Sequence, residues 1–88
     1  MSKNEEYLKK VINNPYVKLH KRIRKVENLK DENLLKHIAE HAQDPCLKKK
    51  AIFNNNLNSV DFLEDREKKE KNQGVQRALN FKIKKLKQ

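Results

Sequence analysis

Apolar positions along the chain recur at the spacing of helices that bury one side. Offsets of three and four residues place side chains on the same side of an α-helix. Each of two stripes with matching offsets therefore predicts an amphipathic helix. The stripes consist of Tyr7, Leu8, Val11 and Ile12, then Leu34, Leu35, Ile38, Ala39 and Ala42.

The segments that carry these stripes belong to a repeat. N-E-E-Y-L-K-K-V-I from Asn4 matches D-E-N-L-L-K-H-I-A from Asp31, and S-V-D-F-L-E-D begins 28 residues later at Ser59. Each copy opens with a side chain that can accept hydrogen bonds from the first helical turn, and acidic residues follow, where the helix dipole favours them. Ser2 and Glu5 offer a second possible start for the first copy.

A second kind of segment alternates with the first. N-P-Y-V-K at Asn14 and D-P-C-L-K at Asp44 each place a capping residue before a proline, which is tolerated at the first helical position. Q-G-V-Q-R-A-L at Gln73 fills the third equivalent place. We call the first kind A helices and the second kind B helices. The patterns predict A helices near 4–13, 31–42 and 59–72, and B helices near 15–29, 45–55 and 74–87.

The pattern predicts a single all-α domain, residues 1–88, of three antiparallel helix pairs near 4–29, 31–55 and 59–87. Repeated helix pairs are typical of α-solenoids, in which neighbouring pairs stack to share a core. D-P-x-L-K-x-x-A, from Asp44 to Ala51, resembles the second-helix signature of short HEAT-like repeats. The resemblance implies a right-handed stack whose B helices line the concave side. An irregular helical bundle is the alternative.

Composition narrows the kind of protein. The chain has 88 residues, of which 39% are charged and 35% apolar, a balance close to that of disordered chains. Regular apolar spacing, with one glycine and two prolines, favours a folded helical domain instead. One cysteine cannot form an internal disulfide, no secretion signal is evident, and no apolar run approaches the roughly 18–20 residues of a membrane span. We therefore expect a cytoplasmic protein without a membrane partner.

Charge is divided unevenly between the two kinds of segment. The net charge is +10, to which the A segments (1–13, 31–43 and 59–72) contribute −2 and the B segments (14–30, 44–58 and 73–88) contribute +12. A concave basic surface concentrates its field on an approaching anion. Lysines suit phosphates without reading bases, so contact with a nucleic-acid backbone would be sensitive to salt. The predicted polyanion contacts are Lys18, Lys21, Arg22, Arg24, Lys25, Lys48, Lys49, Lys50, Arg77, Lys82, Lys84 and Lys85.

Several interpretations of this charge stay open. Nucleic acid, particularly structured RNA or duplex DNA, is the favoured partner, while an adaptor for an acidic protein would use the same side chains. A run of lysines can also be only a solvated helix face, and self-association of the ends of the stack is a further alternative. Tyr16, Phe53 and Phe81 fall on B helices, but two of the three are expected in the core. Few rings would then remain for stacking on bases.

The sequence offers little for catalysis, and we expect a non-enzymatic module without a cofactor. H-I-A-E-H matches the H-x-x-E-H pattern of inverzincin metalloproteases, but no further acidic ligand on a matching helix accompanies it. His37 and His41 are therefore only weak candidates for binding a metal. Cys46 precedes three lysines, yet its match with Tyr16 favours a packing role over a reactive one. A single glycine excludes a phosphate-binding loop.

The segment E-D-R-E-K-K-E-K, from Glu64 to Lys71, mixes both signs of charge. We expect a solvent-exposed helix stabilised by the i,i+4 pairs Glu64–Lys68 and Glu67–Lys71.

Overall fold

The computed structural model describes residues 2–88, and within that range the regular structure is helical, with no strand. The all-α class is confirmed. The elements correspond in order to the predicted helices, so that α1, α3 and α5 are A helices and α2, α4 and α6 are B helices. They are α1 (Lys3–Tyr7), which continues as a π-helix over Leu8–Ile12, α2 (Leu19–Glu27), α3 (Glu32–His41), α4 (Pro45–Phe53), α5 (Val60–Lys69) and α6 (Gln73–Leu86).

Most helices begin at a side chain that accepts a hydrogen bond from the first turn. Of the two starts considered for the first helix, Ser2 is the one used, and the Glu5 N–H lies 3.1 Å from its Oγ. Pro45 occupies the first position of α4, as predicted. Such caps satisfy backbone donors that have no partner inside the helix. The capping residues are Ser2, Asp31, Asp44, Ser59 and Asn72.

The predicted start of the first B helix, directly after Asn14, is wrong, because α2 begins four residues later. The Asn14 side chain accepts from the Tyr16 N–H at 2.9 Å, and its carbonyl accepts from the Val17 N–H at 3.1 Å, which closes a turn. The Arg22 guanidinium donates to the carbonyls of Val17 at 2.8 Å and Ile12 at 3.1 Å. These two bonds tie the turn and the end of the first helix to α2.

The helices pack in two layers. Helix α4 lies between α2 and α6, so the three B helices form a continuous layer. Helix α3 packs on α4, and helix α5 packs on α6. The first helical segment packs on α3. This order of contacts is compatible with both the predicted stack and an irregular bundle, and the HEAT-like geometry stays a prediction. No helix in residues 2–88 is long and apolar enough to cross a membrane.

One apolar core runs through all three pairs. Leu35 and Leu63, which stand at matching positions of the second and third A helices, are both fully buried. The third pair also contributes Val75 and Leu79 to the same cluster. Burying side chains of this size stabilises each by about 1.5–3 kcal/mol relative to leaving it exposed. The third pair is therefore part of the common core.

Side chains 28 residues apart join the C-terminal ends of the B helices. The Asn54 Nδ2 group donates to the carbonyls of Val26 and Leu29, both at 2.9 Å. The Lys82 ammonium donates to the carbonyl of Asn54 at 3.0 Å. Asn54 and Lys82 are only 7% and 5% exposed. Carbonyls at a helix end need partners when they are buried, so each later B helix supplies a donor to the one before it.

Replacing Asn54 by alanine removes this donor from the carbonyls of Val26 and Leu29, which keep the Leu29 N–H and the Asn56 side chain as donors, each at 3.2 Å. We expect the free energy of unfolding to fall by about 1–3 kcal/mol, because each of the two hydrogen bonds lost contributes about 0.5–1.5 kcal/mol. Asn55→Ala is the matched control, since the Asn55 side chain is exposed, and should change stability by less than about 0.5 kcal/mol. Urea unfolding followed by circular dichroism measures both variants. Equal losses would show that Asn54 does not join the B helices.

Candidate polyanion-binding surface

Seven of the twelve predicted contact residues are exposed side chains on the outer B helices. Helix α2 carries one group, which begins at its N-cap, and α6 carries the other. Their positive charge is therefore accessible from outside the fold. The exposed residues are Lys18, Lys21, Arg24 and Lys25 on α2, and Arg77, Lys84 and Lys85 on α6.

Three of the predicted contacts are instead engaged inside the fold. Arg22 holds the turn before α2 through two carbonyls. The Lys48 ammonium lies 3.1 Å from a Glu70 carboxylate oxygen, and Lys82 is buried against the Asn54 carbonyl. These three cations are therefore less available to an external ligand than the seven exposed ones, and their role as contacts stays a prediction.

Lys49 and Lys50, both half-buried, lie between the exposed groups. Lys50 forms an ion pair with Glu27 of α2 at 3.5 Å. Lys49 reaches towards the first turn of α6, where Gly74 leaves room for it. A Cβ atom at Gly74 would come within 2.8 Å of the Lys49 Nζ. The positive charge of Lys49 is thus placed between α4 and α6.

The expectation that residues 64–71 form a wholly exposed helix is wrong at Glu70, which is 5% exposed. Its carboxylate accepts from Lys48 at 3.1 Å, from Arg66 at 3.4 Å and from the Asn72 N–H at 3.1 Å. Burial raises the pKa of Glu70. The hydrogen bond from the Asn72 N–H and the interactions with Lys48 and Arg66 together lower this pKa by more than burial raises it, so the pKa lies below its ordinary value. The ionised carboxylate joins α4, the end of α5 and the start of α6.

The neighbouring charged residues of α5 also pair differently from the prediction. Glu64 lies 2.7 Å from the Lys87 ammonium rather than beside Lys68. Glu67 accepts a hydrogen bond from Asn80 at 3.0 Å. These partners come from α6 and the residue that follows it, so the A helix of the third pair is fastened to its B helix by polar contacts.

The expectation that two of the three B-segment aromatic residues are buried is wrong. Tyr16 is 95% exposed, Phe53 46% and Phe81 62%. The rings of Phe53 and Phe81 meet edge to face, with their centroids 6.0 Å apart and their planes at 76°. In α4, the buried residues Ala51 and Ile52 face the core and leave Phe53 outside.

The 28-residue spacing that joins the helix ends also orders this surface. It relates the cations Lys21, Lys49 and Arg77, one on each B helix. The same spacing relates Lys25 to the two phenylalanines. A row of cations and a row containing the aromatic pair therefore run across the B layer. We call this surface the B face, formed by Lys21, Lys25, Lys49, Phe53, Arg77, Phe81, Lys84 and Lys85.

Shallow depressions adjoin both aromatic rings. Glu27 and Glu67 supply the acidic groups at their edges, and each already has a partner, Lys50 and Asn80 respectively. The depressions are therefore bordered mainly by positive charge. Their cationic lining residues are Lys49 and Lys50 beside Phe53, and Arg77 and Lys84 beside Phe81.

The two histidines of H-I-A-E-H lie together at the A-helix side of the molecule. The ring centroids of His37 and His41 are 4.7 Å apart, and Glu5 and Leu8 line the same small depression. Among residues 2–88, no group of three or more His, Cys, Asp or Glu side chains is placed to hold a metal ion. Cys46 is half-buried and lies apart from this pair, at the depression that Phe53 also lines.

The burial of Lys82 predicts a pH dependence of the stability. Burial, assisted by the charge of Lys85, lowers the pKa of Lys82 below its ordinary 10.5. Between the lowered value and 10.5, the unfolded chain holds a proton that the folded chain has lost, so the free energy of unfolding rises with pH. We expect this rise to disappear in Lys82→Met, because methionine fills similar space in the core but carries no titratable group.

The ionisation of Tyr7 changes the stability in the opposite direction, so it has to be removed from both proteins. Burial raises its pKa above the ordinary 10.0, so the folded state keeps the Tyr7 proton longer and stability falls with pH above that value. Both proteins should therefore carry Tyr7→Phe. Urea unfolding from neutral pH to about 10.5 gives the two profiles, and parallel profiles would contradict the lowered pKa of Lys82.

Comparison with known proteins gives no match to a protein-family model, to a curated protein or to a solved structure. The function is therefore proposed from the chemistry of the B face.

Proposed function

We propose that this protein is a small, non-enzymatic, cytoplasmic binding module that docks its B face onto the phosphates of a nucleic acid. The observation that carries the proposal is the separation of charge between the two layers, with −2 in the A segments and +12 in the B segments. Exposed cations at both sides of the B layer, on α2 and α6, present that charge to the outside.

Phosphate is a suitable partner for this surface. Lysine provides most of the charge, and an ammonium group binds phosphate oxygens without a fixed orientation. Neutralising phosphates releases condensed counterions, which makes such binding strong at low salt and weak at high salt. The proposal therefore specifies the backbone of RNA or DNA and no base sequence.

An acidic protein is the alternative partner, since it would contact the same cations. A surface that binds nucleic acid must bind an isolated oligonucleotide, whereas a surface that binds an acidic protein need not. Titration with an oligonucleotide at increasing salt therefore distinguishes the two partners, because a surface suited only to an acidic protein need not retain the oligonucleotide.

The first test removes charge from the B face without touching the internal ion pairs. The variant Arg77→Gln, Lys84→Gln, Lys85→Gln changes exposed residues of α6, and the control Lys3→Gln, Lys9→Gln, Lys68→Gln changes exposed residues of A helices. Both lower the net charge by three. Lys48 is left unchanged because its ion pair with Glu70 belongs to the fold.

We expect the α6 variant to bind a labelled oligonucleotide more weakly and with a smaller salt dependence. Each lost phosphate contact should lower the slope of log K against log salt by about 0.7 for a single strand and about 0.9 for a duplex. Fluorescence anisotropy between about 50 and 200 mM salt measures both effects. Equal behaviour of the α6 variant and its control, or no binding at low salt, would overturn the proposal.

A further inference from the structure

Phe53 and Phe81 expose apolar rings side by side on neighbouring helices. A single exposed phenylalanine is ordinary on a protein surface. Here the two rings occupy equivalent places 28 residues apart, and their centroids are 6.0 Å apart in an edge-to-face contact. Cations lie along α6 on both sides of Phe81, with Arg77 one turn before it and Lys84 and Lys85 one turn after it. The aromatic surface is therefore bordered by groups that attract phosphate.

We infer that the Phe53–Phe81 pair is a stacking site for unpaired nucleobases, so that the ligand of the B face is a single strand of RNA or DNA. The inference rests on the proposed function and makes its ligand more specific. Aromatic side chains stack on bases of any sequence while neighbouring cations hold the backbone. The residues that supply these two parts are adjacent on α4 and α6.

The ring geometry favours a single strand over a duplex. Bases inside a duplex are stacked parallel to one another at about 3.4 Å, which hides their faces. The planes of Phe53 and Phe81 stand at 76°, so the pair cannot follow two parallel stacked bases. Both rings are partly exposed, which leaves apolar surface for a base that has been turned out of its stack. Such bases belong to unpaired segments.

A second copy of this chain is a poorer occupant. A stable homodimer buries about 800 Å² per partner, whereas the apolar part of the B face consists of two phenylalanines. The cations beside them would also face those of the other copy, because a two-fold interface joins the same surface of both chains. The charge of the B face instead complements a polyanion.

The test compares oligonucleotides that have the same phosphates but differ in their bases. Wild-type protein is titrated with a labelled single-stranded oligothymidylate, with an abasic strand of the same length and with a duplex of matched length. We expect the oligothymidylate to bind about tenfold more tightly than the abasic strand, as is usual when one base stacks on an aromatic ring. It should also bind more tightly than the duplex at equal salt.

Leucine replacements identify the rings responsible. Phe53→Leu and Phe81→Leu keep an apolar side chain but remove the aromatic face, and each should lower affinity for oligothymidylate by about threefold to tenfold. Their affinity for the abasic strand should stay unchanged. Tyr16→Leu is the control, because Tyr16 is exposed in the connection between the first helix and α2 and has no part in the pair. It should change neither affinity by as much as twofold.

A tryptophan at position 81 reports stacking directly. The natural chain has no tryptophan, so Phe81→Trp introduces a single fluorophore into the site. Its emission should be quenched when oligothymidylate binds and should change little when the abasic strand binds. This variant retains an aromatic ring, so it decides the matter even if a leucine variant loses its helical circular dichroism.

The failures of the two proposals are distinguishable. If neither strand binds at low salt, the phosphate-docking function is wrong and the stacking site with it. If both strands bind equally, the leucine variants match wild type and the tryptophan is not quenched, phosphate docking stands and the stacking site is wrong. If Phe81→Leu changes only the sedimentation behaviour of the protein, or only its retention of an acidic peptide, the pair serves a second copy or a protein and the inference is likewise overturned.

Discussion

The carbonyl groups at the ends of the B helices impose the constraint on which the rest of this small fold depends. A chain of 88 residues buries only a modest core, so an unpaired carbonyl beneath the next helix would be costly. Asn54 supplies donors to two carbonyls at the end of α2, and Lys82 supplies one to Asn54 itself. These bonds fix α2, α4 and α6 at a common register of 28 residues, and that register decides which side chains share the outer surface.

The same residue type therefore has two roles in one layer. Lys82 and Lys48 stabilise the fold. Lys82 donates a hydrogen bond to the Asn54 carbonyl, and Lys48 forms an ion pair with Glu70. Lys84 and Lys85, only two and three residues beyond Lys82, point to solvent. Positive charge on the B helices thus both joins the helices and forms the B face. Changes to lysines in a single run can consequently affect stability and ligand binding for unrelated reasons.

Much of the fold could be predicted because its signals are local. The helices and their order follow from apolar spacing and from caps such as Asp31, Asp44 and Ser59, which act within one turn of the chain. The turn at Asn14 could not be predicted, because it is held by Arg22 from the following helix. Glu70 was missed for the same reason, since its partners come from three different elements.

The candidate site was predicted in part. Segment charge located it on the B helices, but adjacent apolar residues such as Ile52 and Phe53 do not reveal which one faces the core. The 28-residue interval between Phe53 and Phe81 was the one signal in the sequence that could have placed the rings together. Its meaning depends on the register of the B layer, which the hydrogen bonds of Asn54 establish.

Docking of a single strand onto the B face is tested most directly by nuclear magnetic resonance of the uniformly labelled protein. Amide signals are followed while a short single-stranded oligonucleotide is added at low salt. The largest changes should fall on α4 and α6 around Phe53, Arg77 and Phe81, with smaller changes on α2 and little effect on α1, α3 and α5. Changes concentrated on those A helices, or spectra that do not respond to the oligonucleotide, would contradict the account.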